Sequence, residues 1–281
     1  MSSPLCLICK GSLSKEVISN GYIYYKCAGC FTSQIFPQPS QRELDDYYNK
    51  FHLNESEGGS YDWIEERMQS DFGAKINLLT KYKDGRDNSL LDVGCGKGYF
   101  VSKCKSSGFK AKGIDVSVSG IEFAKNKLGV DAERITVEEF SNQPANKENF
   151  NFATLLATIE HLPDPFAVLN SVNKCLKPGG ILLLDTGLGN DKFERYLTGH
   201  SQWYDALQHL FVYSEEGLKI LLEKSGFIIL SIDRNFERNT LRKIIRLIRH
   251  SFICFASFIF IRPVLGKKAF ESMKMESKWP I

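Results

Sequence analysis

The sequence predicts an α/β chain: a doubly wound parallel sheet, preceded by a small metal-binding module and followed by a basic helical extension. Three observations carry that expectation. Apolar runs alternate with amphipathic stretches between residues 89 and 235, two C-x-x-C pairs stand near the N-terminus, and residues 238–270 hold eight Lys or Arg but no Asp or Glu. With 281 residues and 43% hydrophobic content, the chain can bury one full-sized core and a small appendage. The divisions fall at 1–40, 41–88, 89–235 and 236–281.

The first segment holds Cys6-x-x-Cys9 and Cys27-x-x-Cys30, separated by seventeen residues. Each pair can fill two adjacent corners of a tetrahedron, and the intervening EVISNGYIYYKC has the turn and aromatic strand residues of a hairpin that folds one pair onto the other. Four thiolates leave no open position for water, so a structural zinc is expected in preference to unconnected thiols or a redox dithiol. The stretch MSSPLCLICK lacks a charged-then-apolar secretory layout, and the eight cysteines read as reduced thiols of a cytoplasmic protein. Residues 41–88 read as a helical connector, in which Tyr61 and Trp63 either close over a cofactor or form a buried helix face.

Within 89–235 the expected order is regular. Strand one is SLLDV, followed by a helix from Lys97 to Ser107; KAKGID is strand two, SVSGIEFAKNKL a helix and RITV a short third strand. NFATLLA is strand four, ILLLDT strand five after an LKPGG turn, and FIILSI strand six after the helix SEEGLKILLEKSG. In such sheets ligands bind at the carboxyl ends of the strands where the order reverses.

The turn after strand one, LLDVGCGKGYF, lies at that place. Its glycines match neither G-x-G-x-x-G nor G-x-x-x-x-G-K-[ST], and Asp92 would repel a pyrophosphate docked at the next helix N-terminus. A carboxylate there attracts a cationic ligand instead. S-adenosylmethionine, with its ammonium and sulfonium, is such a ligand. Asp115, ending strand two, can accept hydrogen bonds from both hydroxyls of its ribose.

LLDVGCGKG, GIDVS, FNFATLLATIEHLPDP, LKPGG and QHLFVYSEEGLKILLEKSGF, with the cysteine pairs, resemble the class I S-adenosylmethionine-dependent methyltransferases. Among them the chain is similar to a group with an N-terminal four-cysteine zinc module, common around bacterial surface-sugar and secondary-metabolite pathways. The resemblance implies a Rossmann-like sheet and covers about residues 1–233. It places cofactor contacts at Asp92, Gly94, Cys95, Gly96, Asp115, Val116, Leu156 and Ala157, with Thr136, Val137 and Glu138 flanking the adenine. Asn151 and Ala157 stand where the family usually carries acidic residues, and no seventh strand is legible.

The sulfonium already activates the methyl group, so the protein must align a nucleophile and exclude water; a hydroxyl acceptor also gains from a general base. His161, in IEHLPDP, and His209, in the long insert 186–213 near Trp203, Tyr204 and Tyr213, are the candidate catalytic residues. Each has a structural alternative: His161 fixing its loop, His209 capping the following helix. Glu160 either orients a histidine or starts a buried helix.

Beyond residue 236, Leu241, Ile244, Ile245, Ile248 and Phe252 share one helical face while Arg242, Lys243, Arg246 and Arg249 cover the other, and SFICFASFIFI follows. Its eleven residues cannot span a bilayer, which takes about twenty. Such a helix either lies in the interface of an anionic membrane or packs on the core or across a homodimer. The leading functional expectation is O-methylation of a small molecule or of a sugar or glycan, lipid-linked if the membrane contact holds. RNA methylation ranks second, because the basic charge sits at the opposite end of the chain from the zinc module.

Overall fold

The two cysteine pairs are joined by the expected hairpin, β1 (Leu13–Ser19) and β2 (Tyr22–Cys27), turning through Asn20-Gly21. In the computed structural model, the described residues are 4–40, 42–44, 46–47, 61–83, 85, 87–189 and 203–233, with backbone alone over 61–70. The basic extension from residue 234 onward, including 241–261, and the side chains of Tyr61 and Trp63 lie outside them.

The N-terminal module is built into the rest of the protein. β3 (Ser33–Ile35) pairs with β2 on one side and with β9 (Phe211–Val212) on the other, so a two-residue strand from the distant insert completes a four-stranded antiparallel sheet. Ser214 then caps α6 (Glu215–Lys224): its Oγ accepts from Gly217 N–H and donates to the Cys30 carbonyl, while Lys224 Nζ donates to the Ile8 carbonyl. Residues 1–229 accordingly form one unit.

The second sheet is parallel, in the order β6-β5-β4-β7-β8, formed by β4 (Ser89–Val93), β5 (Lys110–Asp115), β6 (Asp131–Arg134), β7 (Phe150–Leu156) and β8 (Leu176–Asp185). Helices α1 (Tyr61–Thr80), α2 (Tyr99–Ser106), α3 (Val118–Asn126), α4 (Val137–Asn142) and α5 (Pro165–Cys175) accompany it. The order reverses at β4, between β5 and β7. Strand periodicity distributes the central side chains: Leu90 and Phe152 join α1's Phe72, Ile76 and Leu79, whereas Leu91, Val93, Ala153 and Leu155 share a core with the cysteine module, α4, α5 and α6.

Three expected boundaries are corrected. RITV is not the third strand; the strand ends at Arg134, because Thr136 and Glu139 close a capping box that starts α4 at Val137. LKPGG is absorbed into β8 as an irregularity in its register with β7 rather than forming a separate turn. FIILSI carries no ladder among the described residues: α6 ends at Lys224, Gly226 just beyond it is in the left-handed region, and Ile228 is 86% exposed.

Candidate active site

The glycine turn after β4 and the loop after β7 sit side by side, as neighbouring strands require. Gly94 has φ +75°, and a Cβ there would come within 2.5 Å of Thr158 Cγ2, so only glycine allows the two loops this approach. Thr158 Oγ1 donates to the Leu156 carbonyl. Across the turn, the Asp115 carboxylate accepts from Gly96 N–H and Ser117 N–H, both at 2.8 Å. Each oxygen keeps a further lone pair, enough for two ribose hydroxyls.

Asp92 is 2% exposed and accepts a 2.6 Å hydrogen bond from Thr154 Oγ1. Burial pushes its carboxyl up to about 7, with the Asp115 charge adding to the rise and Thr154 opposing it. No cation pairs with it among the described residues, which suits the approach of an ammonium. Val116 is exposed beside the turn, and Ala157 is exposed at φ +48°. Cys95 and Glu138 are partly exposed, whereas the side chains of Leu156 and Val137 point into the cores, leaving Val137 only its backbone to offer an adenine. Asn151, expected to mark a departure, is used structurally: its Nδ2 donates to the Asp87 carbonyl and to Ser89 Oγ at the start of β4.

Beyond Thr158, a short 3₁₀ turn (Ile159–His161) carries Glu160 and His161, and the returning insert brings His209 onto them. The imidazole centroids of His161 and His209 are 5.1 Å apart, and the Trp203 ring lies 5.3 Å from that of His209. His161 Nδ1 contacts the Gln208 carbonyl and His209 Nδ1 the Trp203 carbonyl. Glu160, 3% exposed, places Oε1 3.9 Å from His161 Nε2 and accepts from Thr186 Oγ1 through Oε2. Burial raises the Glu160 carboxyl and lowers His209 to about 3, so His209 is neutral. His209 does not cap α6; Ser214 does.

Two groups were not evident in the sequence. Thr186 orients Glu160, and Tyr24, buried in the cysteine module, donates from its hydroxyl to the His209 carbonyl. Leu210 N–H donates to the Glu160 carbonyl and Ile35 N–H to that of Leu210, so the insert is clamped between β3 and the loop after β7. No sequence pattern links these distant residues; only the β3–β9 pairing brings them together.

The four module thiols lie within 4.8 Å of one another. Their Cys6–Cys30 and Cys9–Cys27 sulfur separations, 3.6 and 3.3 Å, exclude disulfides and approach the edge of about 3.8 Å in a tetrahedron of zinc–sulfur bonds. N–H groups of Gly11, Gly29 and Cys30 point at Cys9 and Cys27 sulfurs, and a Cβ at Gly11 would approach Cys27 Sγ to 2.9 Å. The donor set fits Zn²⁺ in a closed site.

A family described as a methyltransferase domain matches residues 64–232, more than half of the sequence. The chain belongs to this methyltransferase family. Similar proteins include ubiquinone biosynthesis O-methyltransferases of Actinobacillus pleuropneumoniae serotype 5b, 32% identical over 132 residues covering 44% of this chain and 50% of the relative, and of Haemophilus ducreyi, 34% identical over 116 residues covering 39% and 49%. The methyltransferase chain thus spans about half the length of these relatives. Its fold is similar to that of 1,6-didemethyltoxoflavin-N1-methyltransferase of Burkholderia thailandensis, at TM-score 0.55 and 15% identity, covering 80% of this chain and 93% of that one.

Proposed function

We propose that this methyltransferase transfers the methyl group of S-adenosylmethionine to a hydroxyl of a small molecule or of a sugar, lipid-linked where the basic extension meets an anionic membrane. The observation that carries the reading is the contact between Gly94 and Thr158. It packs the loop that leads into Glu160 and His161 against the glycine turn between Asp92 and Asp115, which supports a cationic nucleoside at the turn with a hydroxyl acceptor nearby. Asp115 would hold the ribose, Asp92 the ammonium, and Gly94, Cys95, Gly96, Val116, Val137, Glu138, Leu156 and Ala157 the remaining cofactor surface.

The acceptor oxygen's electron pair forms the O–CH₃ bond, the C–S electrons remain on the sulfur of S-adenosylhomocysteine, and the hydroxyl proton leaves toward His161 or His209. O-methyltransferase names among relatives with 32% and 34% identity support a hydroxyl acceptor. The four cysteines would hold one structural zinc. Calorimetry with S-adenosylmethionine, followed by methyl transfer to a panel of phenolic and sugar hydroxyls with RNA as the comparison acceptor, tests the reading. Transfer to a hydroxyl acceptor supports it; transfer to RNA alone replaces it.

A further inference from the structure

We propose that Tyr24 is a positioning residue for His209, so that the cysteine hairpin serves the methyl-transfer step as well as the stability of its own module. The inference rests on the hydroxyl-acceptor reading for the role of His209, though not for the way its ring is held.

The module grips the returning insert at successive residues. Glu16 of β1, its side chain 8% exposed, pairs with Lys26 of β2 and accepts from Ser33 Oγ and from Tyr204 OH, the latter at 2.9 Å. Asn20, in the hairpin turn, donates through Nδ2 to Asp205 Oδ1 at 3.1 Å, and Ala206 N–H donates to Ser19 Oγ. Tyr24 meets Tyr204 edge-on, with ring centroids 5.0 Å apart, and its hydroxyl donates to the His209 carbonyl. Residues 204, 205, 206 and 209 are thus each tied to the hairpin, and His209 N–H closes the segment on the Asp205 carbonyl.

That anchoring decides what the His209 ring can do. Its Nδ1 lies 3.1 Å from the Trp203 carbonyl, which can only accept, so Nδ1 carries the proton and Nε2 keeps its lone pair. The Trp203 indole is set against the loop after β8, where a Cβ on Gly187 would come within 2.2 Å of it. The Nδ1 bond therefore depends on where the His209 backbone is held, and Tyr24, fully buried, holds its carbonyl. Burial also keeps the ring neutral. A neutral imidazole in this tautomer offers Nε2 to the proton of an acceptor hydroxyl; a ring whose proton moves to Nε2 loses that acceptor.

The test compares Tyr24→Phe with wild type in the full-length protein, with Tyr22→Phe as the control. Tyr24→Phe removes the hydroxyl and keeps the ring against Tyr204; Tyr22 is on the same strand, and its hydroxyl donates to Glu43. With isotope-labelled histidine, the imidazole nitrogen spectrum of wild type should show His209, identified by its loss in His209→Gln, as one neutral tautomer protonated on Nδ1. In Tyr24→Phe that signal should broaden or split between tautomers, and in Tyr22→Phe it should stay as it is. Tyr204→Phe, which loosens the ring that Tyr24 rests on, is the second variant and should alter the same signal. With whichever phenolic or sugar hydroxyl wild type methylates, kcat should fall at least about tenfold in Tyr24→Phe, while calorimetry shows unchanged affinity for S-adenosylmethionine. A His209 signal unchanged in both variants, or altered as much in Tyr22→Phe, overturns the positioning. An altered signal with kcat unchanged overturns its part in transfer and leaves the hydroxyl-acceptor reading intact. Absence of transfer to every hydroxyl tried defeats that reading, and the spectrum still decides whether Tyr24 holds the ring.

Discussion

Asp92 and Asp115 flank the same glycine turn under opposite conditions. Asp115 is held by two backbone N–H groups, whereas Asp92 is buried with one hydroxyl. Since burial raises the folded-state carboxyl of Asp92 to about 7, against 3.8 for its ordinary value, folding favours the protonated form. Its penalty on the ligand-free protein is absent below about pH 4, grows as pH rises toward 7 and is complete above. Asp92→Asn keeps an acceptor for Thr154, so it should raise the melting temperature at pH 8, by on the order of a few kcal/mol in stability, and change little at pH 4. The same substitution should weaken cofactor binding. Thermal scans across that pH range check the first outcome and calorimetry the second. Asp115→Ala should weaken S-adenosylmethionine binding by about 1–3 kcal/mol, since both ribose hydroxyls and the Gly96 and Ser117 N–H groups lose an acceptor; unchanged affinity in calorimetry would remove Asp115 from the site. Their positions were legible from the sequence: Asp92 from the glycine turn that follows it, and Asp115 as the acidic residue that ends the next strand. His209 was legible only as a candidate. Its meeting with Glu160 depends on a chain crossing that periodicity does not encode.

At the level of elements, the cysteine module and the segment that carries His209 share one sheet. The pairing of β3 with β9 links the cysteine hairpin to the segment that carries His209, and Tyr24 adds a direct bond to that segment. Removing zinc should therefore reach beyond the hairpin. In the Cys6→Ser/Cys27→Ser variant, metal analysis should show loss of the four-cysteine zinc, and hydrogen exchange should show lost protection at Ile35, Phe211 and Val212 while β4, β5 and β7 remain protected. Protection unchanged at β9 would show that its pairing does not depend on the metal. The sequence reading anticipated the hairpin from its cysteine spacing and the five parallel strands from their apolar runs. It placed the third strand three residues late because RITV looks like a strand in isolation, whereas the Thr136–Glu139 box commits Val137 to a helix. The two residues of β9 are too few to show a period of two, so the sheet they complete was not readable.

For the whole molecule, charge is the main asymmetry: the excess of cationic side chains lies in residues 238–270, and no helix among the described residues is long and apolar enough to cross a membrane. We propose that residues 241–261 attach the enzyme to an anionic surface, which would bring it to a lipid-linked acceptor. Ile244, Ile245, Ile248 and Phe252 supply apolar area, and each nearby Lys or Arg adds about 1 kcal/mol at such a surface. Because the second contribution is electrostatic, co-sedimentation with liposomes should rise with anionic-lipid content, fall as salt increases and drop sharply when Arg242, Lys243, Arg246 and Arg249 become Gln. Calorimetry on that variant should show unchanged affinity for S-adenosylmethionine, since the substitutions lie far in sequence from the Asp92–Asp115 turn. Wild type that stays in the supernatant at every lipid composition refutes the attachment. If light scattering then reports a dimer that the four Gln substitutions leave intact, the apolar residues Ile244, Ile245, Ile248 and Phe252, and not the cationic ones, are the ones that make the contact.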